Sequence, residues 1–212
     1  KLETRLVNID RDLLVIPNLA IHMNRNVNSG MEINNQIDLM PILDILSAEQ
    51  KDTKYFMSFL AKELEVDEKE ILDFELSVFL MEEPMYIGVE DTMISAPRLD
   101  NQTSVSALVS AIIDGERADG INLIALFDHE EVGSRSKQGA ASVLLHDMLL
   151  RILKNLGATE EEAGRCLYNA MLLSLDVAHA VHPNRAGKMD ITNKPVFGKG
   201  FCIKQTCVQN YA

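Results

Sequence analysis

A chain of 212 residues, 47% of them apolar, can bury a core as one large domain or two small ones. Its formal charge of −12 excludes nucleic acid and anionic membrane as expected partners, because both call for clustered Lys and Arg. No apolar run approaches the ~18–20 residues of a spanning helix, and Cys166, Cys202 and Cys207 form no CxxC, which suits a reducing, cytoplasmic compartment.

Residues 1 to about 84 have one texture. Leu13-Leu14-Val15-Ile16 is a short apolar run stopped by Pro17, and Leu19-Ala20-Ile21-His22-Met23 is another. An asparagine-rich loop follows, whose side chains compete with regular backbone pairing. Phe56, Phe59, Leu60 and Leu64 have helical spacing within 48–64, and Asp67 with Glu70 makes a capping-box pattern. Residues 74–80 alternate as a strand would, and Glu82-Glu83-Pro84 with Gly88 marks a domain border.

The second part alternates element types. Val105, Leu108, Val109, Ile112 and Ile113 form a helical stripe after Asp100-Asn101. The apolar run 121–127 reads as a buried strand, followed by a helix from about Gly139 to Leu156 with Gly157 as its stop. Thr159 and Glu162 cap the next helix, and Leu172-Leu173-Ser174-Leu175 is a strand ending at Asp176. This order indicates an α/β layer structure.

Acidic residues stand where elements meet loops. Asp100 precedes a helix, Glu130-Glu131 follow the run 121–127, and Asp176 ends a strand. Ligands in open α/β sheets bind at the carboxyl ends of strands. Converging carboxylates repel unless a cation neutralises them, and two divalent metals bridged by a carboxylate can clamp a water and a carbonyl. Of two adjacent carboxylates, one can ligate while the other serves as general base. For the stretch 128–134 alone, an acidic loop solvated at a strand end is an equal reading, and among so many acidic residues convergence of the three positions by spacing alone is more often chance. His179 and His182 have the spacing of a helical metal pair, yet Pro183 follows, and loop shaping is the favoured role. Asn101-Gln102-Thr103 matches a glycosylation sequon that a cytoplasmic setting makes idle.

Arg98-Leu99-Asp100-Asn101, Asp128-His129-Glu130-Glu131-Val132-Gly133-Ser134 and 174–184 (SLDVAHAVHPN) together resemble the aspartyl aminopeptidase family, the aminopeptidase I-like dizinc metallopeptidases. Residues 16–25, 200–204 and 209–212 extend the resemblance nearly end to end. It implies an α/β/α sandwich, a mixed sheet flanked by helices, over 85–212. An inserted dimerisation domain of strands and helices would occupy 1–84. It implies Asp100 as the carboxylate bridging two Zn2+ ions (Mn2+ or Co2+ as replacements), Glu131 and Asp176 as ligands of one metal each, and Glu130 as general base. Lys204 and Tyr211 would face the substrate, and His22 would reach a neighbouring subunit's active site.

The implied activity is removal of N-terminal residues, acidic ones favoured, from peptides with a free N-terminus. The implied assembly is a homo-oligomer, built of dimers and typically a tetrahedral dodecamer. Leucyl or glutamyl preference is the alternative within enzymes, and a non-catalytic assembly protein the alternative outside them. The family's metal-binding histidines, one in a His-x-Asp ahead of the insert and one near the C-terminus, match none of His129, His146, His179 or His182. The expectation is an internal fragment that binds zinc weakly and is inactive alone.

Overall fold

The computed structural model describes residues 2–51, 54–190 and 192–204. The chain divides into two units, Lys1–Met85 and Tyr86–Ala212.

In the first unit the spacing of Phe56, Phe59, Leu60 and Leu64 produces helix α1, Tyr55–Leu64, which starts later than the expected span from residue 48. α1 buries Leu60 and Ala61, with Leu60 only 1% exposed. Phe56 meets Phe59 and Phe74 at ring-centroid distances of 6.2 and 5.7 Å, the second edge-on, a geometry that aligns a ring's positive edge with a negative face. The Arg11 guanidinium lies 6.0 Å from the Phe59 ring centroid and pairs with Glu63. Its hydrogen bond holds the Glu63 carboxyl below the usual range.

α1 ends as Glu65 turns left-handed at φ 54°, and Val66 N–H reaches back to the Ala61 carbonyl at 3.0 Å. Asp67 and Glu70 then form the expected reciprocal capping box, but over a 3-10 turn, Glu68–Glu70. Val15 and Ile42 exchange both backbone hydrogen bonds, 3.1 and 2.8 Å, as an isolated antiparallel bridge. The segment 74–80, expected as a strand, carries neither strand nor helix.

The two-stranded sheet of β1 (Met85–Ile87) and β2 (Met93–Ser95) leads into helix α2, Leu99–Asp114. α3 spans Leu144–Asn155 and α4 Glu160–Tyr168. α3 starts later than the apolar pattern from Gly139 indicates, because 139–143 is spent on turns. α3 and α4 pack on each other, with Leu153 at 8% and Ala163 at 5% exposure. The hinge is Gly157 at φ 89°. Thr159 and Glu162 close a capping box through Thr159 N to Glu162 Oε2 at 2.9 Å and Glu162 N to Thr159 Oγ1 at 3.3 Å. The backbone N–H of Thr159, then its hydroxyl, holds the Glu162 carboxyl below the usual range.

The runs 121–127 and 172–175, expected as strands, are not strands here. A strand is defined by its partner's backbone, and none of residues 121–127 takes part in a backbone–backbone hydrogen bond among the described residues. Ile121, Leu123 and Leu126 accordingly stay 51, 44 and 52% exposed. The fold is α/β, with β1–β2 as its sheet among the described residues. No described helix is long and apolar enough to cross a membrane.

Candidate active site

The acidic stretch after the apolar run folds as a tight turn with reversed handedness at its corners. Asp128 accepts from the His129 N–H through Oδ1 at 2.8 Å, and His129 then takes φ 62°. Gly133 N–H donates to the Glu130 carbonyl at 2.8 Å and Ser134 N–H to the His129 carbonyl at 2.9 Å. Gly133 at φ 99° and Ser134 at φ 59° complete the reversal, which an L side chain adopts at a cost and glycine does not.

Three further contacts hold the turn. His129 Nδ1 and Ser136 Oγ share a hydrogen bond of 2.6 Å. Gly139 is buried directly against the Ser134 carbonyl, where an added Cβ would come within 2.1 Å of the oxygen. Ala141 N–H donates to the same carbonyl at 3.0 Å. The turn thus presents Glu130 and Glu131, both exposed, from a backbone fixed on each side.

Asp100 and Asp176 come from different parts of the second unit. The chain enters α2 through Arg98 in the left-handed region, φ 58°, while Asp100 (φ −82°, ψ 111°) and Asn101 (φ −118°, ψ 29°) depart from helical geometry across a cis peptide bond. Gln102 N–H bonds the Arg98 carbonyl at 3.1 Å, and the Thr103 hydroxyl donates to the Leu99 carbonyl at 2.9 Å. From this corner the Asn101 Nδ2 donates to the Leu175 carbonyl at 3.1 Å, across 74 positions of sequence. Asp100 immediately precedes the donor residue, and Asp176 immediately follows the acceptor. Asp176 Oδ1 accepts from Val177 N–H at 2.7 Å, which orients its carboxylate.

The expected residues therefore fall into distinct sets. The hydrogen bond from Asn101 to the Leu175 carbonyl brings the Asp100 corner to the Asp176 segment, and Glu130 with Glu131 stand on their own turn. Among the described residues, no three His, Cys, Asp or Glu side chains come together as a group that could hold a metal ion. Lys204 is exposed in a segment without helix or strand. His22 lies exposed in the first unit, on a turn closed by Met23 N–H to the Ala20 carbonyl at 2.8 Å. Tyr211 lies outside the described residues, as do Cys207, Gln209 and Asn210.

His182 shapes its loop: Nδ1 accepts from Asn184 N–H at 3.1 Å at the start of the 3-10 segment Pro183–Lys188. Sequence reasoning assigned no role to three contributors: Asn101, which entered only within a motif and an idle sequon, Ser136 and Gly139. Gly139 had a usable signal, since glycine within a polar turn often marks a close backbone approach. The partners of Asn101 and Ser136 leave no mark in local sequence.

The family described as "Aminopeptidase I zinc metalloprotease (M18)" matches residues 1–212. A Clostridium novyi protein named "Probable M18 family aminopeptidase 2" is 43% identical over 209 residues, which cover 99% of this chain and 48% of the relative. The chain thus spans about half the length of the curated relatives it matches. Among solved structures, Ape4 in its complex with Nbr1 superposes with a TM-score of 0.76 at 31% identity, covering 91% of this chain and 41% of that one. Chaetomium thermophilum mApe1 gives 0.75 at 25% identity, covering 90% and 47%. The S. cerevisiae mApe1 dodecamer gives 0.65 at 22% identity, covering 87% and 42%, a likeness of fold.

Proposed function

The chain belongs to the aminopeptidase I zinc metalloprotease (M18) family, and on that premise we propose that the protein it forms part of is a zinc-dependent aminopeptidase that removes acidic N-terminal residues from peptides. The observation that carries this reading is the bond from Asn101 to the Leu175 carbonyl, which sets the Asp100 corner against the Asp176 segment. Residues 1–84 are assigned as the inserted dimerisation domain. Residues 85–212 are assigned to the catalytic domain, whose completed form is an α/β/α sandwich. The protein is assigned as a homo-oligomer that works in the cytoplasm.

Carboxylate oxygen is an ordinary zinc donor, so the chemistry of Asp100, Glu131 and Asp176 fits that metal, although the described residues do not gather three such donors. Asp100, Glu131 and Asp176 would hold the zinc, Asp100 shared between two ions and the other two serving one each, and Mn2+ or Co2+ would suit the same oxygens. Zinc, when bound, supplies a Lewis acid and the positive charge that lets these carboxylates approach one another.

The remaining chemistry belongs to the chain. Glu130 takes a proton from the attacking water as its oxygen bonds to the first peptide carbonyl carbon, then gives that proton to the departing amine as the C–N bond breaks. The turn 128–136 holds the Glu130 backbone in place while that proton is carried. Lys204 is assigned to the acidic side chain of the substrate, with Tyr211 and the partner-reaching His22 completing the binding site.

The test is hydrolysis of aspartyl, glutamyl and leucyl anilides by the full-length protein. A dominant aspartyl rate is expected; a dominant leucyl rate removes the acidic preference. The ungathered donors favour a second reading, a non-catalytic assembly protein with a vestigial peptidase domain. A full-length protein that assembles yet hydrolyses none of the three would establish it.

A further inference from the structure

Asn101 has surroundings that stability alone does not account for. Its Oδ1 is buried and accepts from no described residue, while its Nδ2 donates to the Leu175 carbonyl at 3.1 Å. A buried acceptor left unmet is costly, and native chains keep few of them. An asparagine near the start of a helix ordinarily earns its place by accepting a backbone N–H through Oδ1, and this one does not. The sequon reading fails on the same geometry, since Nδ2, the atom a glycan would occupy, is committed to Leu175.

What the donor joins is the informative part. On one side is the non-helical corner of Asp100 and Asn101, and on the other the segment in which Asp176 follows Leu175. We propose that Asn101 is a positioning residue: its side-chain amide fastens the Asp100 corner to the Asp176 segment and so sets the separation of the two carboxylates for zinc. The inference rests on the function proposed above and adds to it a residue that acts through the backbone of the Asp176 segment. Groups that orient metal ligands from behind are selected by geometry: a short neutral donor bonded to a backbone carbonyl fixes position without adding charge to an acidic site.

The experiment uses the full-length protein with Asn101→Asp and Asn101→Ala. The first keeps the shape and loses the donor; the second also removes the added charge as an explanation. Zinc affinity is read by competition with a chromophoric chelator, and thermal melting is measured on the metal-free proteins. Both variants are expected to bind zinc about 10–100-fold more weakly, with metal-free melting near that of the parent and, at saturating zinc, a lower kcat at an unchanged KM for the aspartyl anilide.

Parent-like zinc affinity in either variant overturns the proposal. So does metal-free melting well below the parent in both, because the bond would then be supporting the fold at large. A parent that binds zinc but cleaves no anilide sinks the peptidase reading while the affinity comparison still decides the role of Asn101; a parent that binds no zinc overturns both.

Discussion

The α3–α4 pair and the acidic segments of the same unit are held by different means. The helices are closed by neighbours in sequence: a left-handed glycine at 157, a capping box at Thr159 and Glu162, and Leu153 and Ala163 buried where the two meet. The acidic segments include the long-range bond from Asn101 to the Leu175 carbonyl and a turn whose flanking apolar run remains open. Packing is concentrated in the first region and the proposed chemistry falls in the second, as expected where functional segments are drawn from the less secured parts of a fold.

Substitutions in the full-length protein can break that division, and the largest effect should come where packing is least. Glu130→Gln is expected to lower kcat by about 10²–10⁴-fold with zinc content and unfolding midpoint like those of the parent. Glu131→Gln should instead lose zinc, and equal metal retention in both would show that the two roles are exchanged. The converse change is Leu153→Ala, expected to cost about 2 kcal/mol, the lower end for such truncations because the helix pair is partly open. Urea unfolding reads it, and kcat at full occupancy should not move.

Thr159→Ala removes the cap of α4 and should cost about 1 kcal/mol, again without effect on kcat. The smallest expected effect is a pH dependence at Glu162. Its carboxyl is held below the usual range when folded, so its contribution is present above the ordinary glutamate pKa and lost as pH falls through the folded value. The stability gap between the parent and Glu162→Gln should therefore be widest near neutral pH and close in acid. A gap that widens in acid would contradict the cap.

What could be read from the sequence follows the same line. Both capping boxes were legible, because Asp67 with Glu70 and Thr159 with Glu162 each meet within one turn. The acidic turn was legible as a motif, since the reversal at Gly133 is local. Strands were expected at 74–80, 121–127 and 172–175 and are not found there, because alternation and apolarity give a segment's affinity for a sheet and say nothing of which backbone completes it. The site shows the same limit. Asp100 and Asp176 could be named as candidates, but the bond from Asn101 spans 74 positions and no local pattern encodes it.

Gly133 carries a consequence of another kind. Nothing lies within 4 Å of where its Cβ would be, so the position has room for a methyl group. Its φ of 99° denies that room to one mirror image only. L-Alanine there should destabilise the turn by about 1 kcal/mol or more, whereas D-alanine, introduced by chemical ligation, should be accepted and should even stiffen the segment beneath Glu130. At this corner the limit on substitution is chirality, and bulk has no part in it.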